Sequence, residues 1–222
     1  MSHTNKAVLI TGSIFGLYEA AVWLFDPVGV HKALNNGIEM ESSVALFNGF
    51  ANSLPSLLGF LIYFNTFTWL QVILLPLLVV HCSMQTLFWW IPYLFNIGPI
   101  DVIVEHKSQL KAVESIFKPL PIINDHLEID LEHIILFPIT VIYLLFAVNA
   151  LLSPIYPGWS RIQSIICIVL SSLPLVGFIT QVEYNENTVS FLFVSVFVLL
   201  VSTSVAVAVK HRNKKIPKQK AK

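Results

Sequence analysis

Charge is the first thing this sequence lacks. Only 12% of its 222 residues are Asp, Glu, Lys or Arg, against about 25% in an ordinary soluble domain. So few charges cannot cover a water-facing surface, which excludes a soluble globular fold for most of the chain. Cysteine is nearly absent. Cys82 and Cys167 are the two present, and both fall inside apolar runs. That excludes a disulfide framework and leaves two buried thiols. There is no Asn-x-Ser/Thr sequon, so no glycan marks a side of the membrane. No phosphate-cradling loop, nucleophile motif or metal motif occurs, so no cofactor is expected. No repeat stands out either, including the inverted repeat on which many transporters are built. Net charge is zero, and nucleic acid is not an expected partner.

What is present is apolar surface. Of the residues, 55% are hydrophobic, and they gather into runs close to the roughly 20 residues that span a bilayer. The runs are 7–25, 43–64, 69–91, 131–152, 162–180 and 188–209. The expected fold is all-α, a polytopic membrane helix bundle of about six spans over residues 1–209. The run 43–64 is the most polar, with Asn48, Asn52, Ser53, Pro55 and Ser56, so five spans is the alternative. The first run holds Glu19 and has no small-x-small cleavage site before Asp26. It reads as a retained anchor.

Charge placement orients the bundle. The segment 210–222 carries seven of the thirteen Lys and Arg and no acid. Basic residues abutting an apolar span mark the cytosolic side. Alternating sides from that tail puts nine basic residues and no acid in the cytosolic segments. The opposite side receives four lysines and eleven acids. Its one long loop, 96–130, contains Val104–Phe117. There Leu110, Val113 and Phe117 share a face, as in a short amphipathic helix lying on a bilayer. Trp23, Tyr63, Trp69 and the cluster Trp89, Trp90, Tyr93 sit near span ends, as interfacial aromatics do.

Few residues inside the spans can do chemistry. Glu19 and His81 are ionisable groups at membrane depth, where such groups are functional suspects. They would form a ligand site or proton relay if they meet. Otherwise each is a hydrogen-bonded packing residue, His81 with Asn48 or Asn52 as partner. Asn48, Asn52 and Ser56 recur every four residues, a polar stripe that serves as interhelical glue or a cavity wall. Gly12, Gly16 and Ala20 have the same spacing, which lets helices approach closely. Pro55, Pro76, Pro138 and Pro174 fall within four spans and can kink them. His126, Asp130 and His133 fall on one helical face and are plausible metal ligands. The plainer account makes Asp130 and Glu132 acids favoured at a helix N-terminus, with the histidines at a wet interface.

Two resemblances follow from short motifs. Lys218 and Lys220, fifth and third from the carboxyl end, resemble the K-x-K-x-x retrieval signal of endoplasmic-reticulum membrane proteins. That resemblance implies an endoplasmic-reticulum membrane with a cytosolic tail that coat machinery reads; in a bacterium it would imply nothing beyond the plasma membrane. The run Phe88–Phe95 with Glu132 and His133 farther on is similar to a group of small membrane proteins with a WW-x-P-Y-x-F-G core. This chain has Asn96 at the final glycine, and the resemblance implies no activity.

The expected function is a non-enzymatic integral protein of the endoplasmic reticulum that holds lipids or other membrane proteins through its helices. The alternatives are a small-molecule or lipid transporter or binding protein using Glu19 and His81, and an intramembrane enzyme with a lumenal His/Asp site.

Overall fold

A computed structural model describes residues 3–27, 41–96, 118–121, 123 and 126–152. Among these residues the fold is all-helical, without a strand. Helix α1 is His3–Phe25, α2 is Ser42–Ser53 and α3 is Leu57–Phe64, the last two joined by a 3₁₀ turn at Leu54–Ser56. Helix α4 is Thr68–Gln85, and a π turn at Thr86–Trp90 carries it into α5, Ile91–Phe95. Helix α6 is Leu131–Leu152. The expected spans 162–180 and 188–209, the amphipathic segment Val104–Phe117 and the tail 210–222 lie outside the described residues.

Among the described residues, three stretches are long and apolar enough to cross a membrane: His3–Phe25, Ser42–Phe64 and Leu131–Leu152. The third expected span, 69–91, is a shorter apolar helix, Trp69–Ser83, that runs on through the π turn. Their outer faces carry Leu17, Phe25, Phe47, Phe50, Phe64 and Trp69 in exposed positions. Water would not tolerate so continuous an apolar surface, whereas lipid covers it. The chain is a membrane protein.

Local chemistry explains how each helix is held. In α1, the hydroxyls of Thr11 and Ser13 donate back to the carbonyls of Ala7 (2.8 Å) and Leu9 (2.9 Å). Polar side chains in an apolar helix are satisfied this way. Between α2 and α3, Pro55 has no N–H to give. The helix tightens there for one turn, and Leu54 N–H bonds the Ala51 carbonyl. After α3 the chain reverses in three residues, with Asn65 and Phe67 at positive φ (55° and 45°). The buried Gln71 amide ties that corner, donating to the carbonyls of Leu61 (3.0 Å) and Thr66 (2.8 Å).

Helix α1 packs against α2, α3 and α6, and α4 packs against α3 and α6. Close approach depends on missing side chains. A Cβ on Gly12 would come within 2.9 Å of the Tyr143 ring, and one on Gly16 within 2.6 Å of Ser56. From the other helix, a Cβ on Gly59 would meet the Val8 carbonyl oxygen at 2.9 Å. The core between these contacts includes Phe15, Leu58, Leu74, Leu78, Tyr143 and Ala147.

Gly59→Ala should therefore lower stability by about 1–3 kcal/mol, because backbone on α1 cannot step aside. Gly49→Ala, whose nearest contact is the Trp23 side chain at 3.2 Å, should change stability far less. Thermal unfolding of the two variants in detergent checks the ranking.

Candidate functional site

Glu19 is only 2% exposed, on the face of α1 that meets the bundle. Its Oε1 lies 2.9 Å from Nε2 of His81 on α4. Phe15, one turn before Glu19, sets the imidazole: its ring meets His81 edge-on, with centroids 5.1 Å apart and planes at 89°. The distance is that of an ion pair, but the angles are not those of a hydrogen bond. Among the described residues, neither Glu19 Oε1 nor His81 Nε2 has a hydrogen-bond partner. The two groups face each other at close range, and each keeps directional capacity for a third group.

The structure thus brings Glu19 and His81 together. It does not turn Asn48 and Asn52 toward them through any described hydrogen bond. The Asn52 amide donates to the Asn48 carbonyl of its own helix, at 3.0 Å. Ser56 of the same stripe meets Gly16 of α1.

A second acid–histidine pair sits at the head of α6. Asp130 is fully buried, and its Oδ1 accepts the His133 backbone N–H at 3.0 Å. This is N-capping, as expected for an acid just before a helix. The His133 side chain adds to it, with Nδ1 2.8 Å from Oδ2 and 3.0 Å from Oδ1. A carboxylate only accepts, so Nδ1 carries the hydrogen. The indole of Trp89 stacks on the imidazole, with centroids 3.6 Å apart and planes at 24°. His133 is therefore buried, at 6% exposure, and does not sit at a wet interface.

His126 goes elsewhere. Its Nδ1 lies 2.6 Å from the Tyr93 carbonyl, and the Tyr93 hydroxyl donates to the Pro121 carbonyl at 3.1 Å. These bonds, with the Lys118–Glu128 ion pair at 2.7 Å, fold the approach to α6 against α5. Among the described residues no three His, Cys, Asp or Glu side chains are arranged to hold a metal ion. His126, Asp130 and His133 are included in that statement. Spacing on one ideal helix suggested convergence, but α6 begins only at Leu131, so His126 never joins its face.

The aromatic cluster also differs from an interfacial belt. Trp89 and Tyr93 are buried, and the Trp90 ring lies 5.0 Å from that of Phe137 on α6. The π turn is the reason. Its wider winding lets successive tryptophans both reach α6, Trp89 at His133 and Trp90 at Phe137.

The two pairs share one neighbourhood. The Tyr18 hydroxyl, next to Glu19 in sequence, donates to the Glu132 carbonyl at 3.2 Å. The buried Glu132 side chain lies in the field of Asp130 and Glu19. Sequence reasoning passed over Glu132 as a helix-terminal acid. Its place inside the apolar run 131–152 was the available signal, the same one that singled out Glu19. Tyr18 gave no signal, since its role depends on neighbours remote in sequence.

Comparison with protein-family models, with curated proteins and with solved structures finds no match to this chain.

Burial of Asp130 opposes its charge, but the hydrogen bonds and charge of His133 outweigh burial and hold the carboxyl below its ordinary value. A depressed folded value means that the pair stabilises the fold fully above the ordinary carboxylate range, near 3.8. That contribution is lost as the pH falls through the lower, folded value. Unfolding midpoints of the wild type followed from pH 7 downward should show this acid loss, and Asp130→Asn should lack this component. At neutral pH, Asp130→Ala should cost about 1–2 kcal/mol through the lost cap.

Proposed function

We propose that this is a multi-pass protein of the endoplasmic-reticulum membrane whose helix bundle binds a small apolar molecule at the Glu19–His81 centre, as a lipid or small-molecule carrier or binding protein. One observation carries the reading: the 2.9 Å approach of a buried carboxylate and an imidazole that do not complete a hydrogen bond with each other. Placing an acid at membrane depth costs several kcal/mol. A pure packing role would be served by closing that bond, or by an apolar residue. A pair left open suits a ligand whose own polar group approaches both atoms from one side. Phe15, edge-on to His81 and 5.7 Å from the Tyr143 ring, supplies an apolar wall for the rest of such a molecule.

The test is photolabelling of the full-length protein in lipid nanodiscs, with diazirine-bearing lipid analogues that carry a click handle. Glu19→Gln and His81→Ala should each reduce labelling about tenfold, the equivalent of one lost polar contact of about 1.4 kcal/mol. Ser13→Ala, whose hydroxyl bonds its own helix, should not. Equal labelling of all four proteins would remove the binding role. It would favour the second reading, a non-enzymatic protein that holds partners or lipids through its helices. The glycine-mediated packing of α1 on α3 and α6 supports that second reading.

The address and orientation rest on the tail. Its seven basic residues favour a cytosolic face, and Lys218 with Lys220 fits a retrieval signal. Replacing both lysines by alanine should move the protein from the reticulum toward later compartments, seen by fluorescence microscopy. An unchanged reticular pattern would count against retrieval through this segment.

A further inference from the structure

The π turn Thr86–Trp90 interrupts a helix at the edge of the Glu19–His81 centre. Two buried polar atoms bracket it. Gln85 Oε1, just before the turn, and Trp90 Nε1, at its end, have no hydrogen-bond partner among the described residues. One is an acceptor and the other a donor. Leaving a buried polar atom unbonded costs about 1–3 kcal/mol, so retaining two on one turn calls for an explanation. π turns of this kind occur often at functional sites.

Their placement is specific. Winding with i→i+5 bonds, as from Ile91 N–H to the Thr86 carbonyl, stacks residues five apart along the axis. Gln85 and Trp90 are five apart, whereas regular α-winding would swing them to different faces. His81 lies one α-turn before Gln85 on the same face. The Trp90 ring is held by Phe137 (5.0 Å) and by Tyr93 edge-on (6.3 Å), so its N–H cannot readily turn away to find a partner.

We propose that Gln85 and Trp90 form the recognition site for the hydroxyl of an apolar alcohol dissolved in the membrane. The hydroxyl donates to Gln85 Oε1 and accepts from Trp90 Nε1–H. A single hydroxyl does both, which a ketone, an ether or an amine cation does not. The inference rests on the binding role proposed for the Glu19–His81 centre and names the ligand class that this centre takes.

The test uses the full-length protein in nanodiscs and two matched photoreactive, clickable probes, a long-chain alcohol and its methyl ether. The wild type should label with the alcohol about tenfold more strongly than with the ether, because the ether cannot donate to Gln85. Gln85→Met, unbranched and of similar length, should abolish that preference. Its probe-free unfolding midpoint should stay level or rise, since it removes an unbonded acceptor. Trp90→Phe should weaken labelling by both probes. Equal labelling of the wild type by alcohol and ether would overturn the alcohol assignment and leave the binding role standing. No labelling by either probe would overturn both. A lowered midpoint for Gln85→Met would show that Oε1 is already satisfied, and would also overturn the assignment.

Discussion

The bond from the Tyr143 hydroxyl to the carbonyls of Pro55 (2.9 Å) and Ser56 (3.2 Å) is the contact on which the rest of the bundle is arranged. A proline inside a membrane helix leaves backbone groups short of partners, and lipid offers none. Tyr143 reaches across from α6 and adds a donor at the kink, and the Gly59 backbone approaches the same oxygen. The ring then occupies the centre of the fold, fully buried. Helix α1 can pass beside it only because Gly12 has no side chain. One tyrosine thus joins α6 to the α2–α3 kink and sets how closely α1 lies between them. The register of α1 then carries Phe15 and Glu19 to His81.

That arrangement places polar groups where an apolar core would be cheaper. Hydrophobic burial alone would favour leucine at 19, 81, 130 and 133. The fold instead builds two carboxylate–imidazole pairs with opposite character. Asp130 is saturated by backbone and ring donors, and Trp89 covers its histidine, so this pair is rigid. Glu19 and His81 touch without completing a bond, so this pair is open. A closed pair fixes the head of α6, and beside it an open one keeps polar atoms without a bond. Saturated and unsaturated polarity are divided between two sites of similar composition.

Much of the fold was legible because it rests on local pattern. The run 131–152 coincides with α6, and 43–64 with the α2–α3 stretch to within a residue. The small-residue spacing correctly marked Gly12 and Gly16 as points of close approach. Helix α1 starts four residues before its apolar run, since His3–Lys6 are polar yet helical. Composition marks apolar length and not where winding begins. The site was legible only as a list of members. Glu19 and His81 stood out by type, but 62 positions of chain separate them, and no periodicity spans such a gap. His126 was misassigned because helical spacing was extended backward past the true start of α6. Trp89 and Trp90 were assigned to the interface because tryptophans at span ends usually lie there. A change of winding that turns them inward leaves no trace in hydropathy.

The π turn can also be read as arithmetic. An α-helix that carries one extra residue accommodates it as a π turn, and every later side chain then sits about 100° short of where unbroken α-winding of the same residues would place it. Trp90, Pro92 and Tyr93 owe their inward bearing to that offset, as do Phe137 and Pro121 their neighbours. The geometry downstream of residue 86 therefore depends on the length of the chain as much as on its composition. Substitutions can erode this region one contact at a time. Loss of a single residue from the turn would instead return it to α-winding and leave the later side chains on the faces they now occupy.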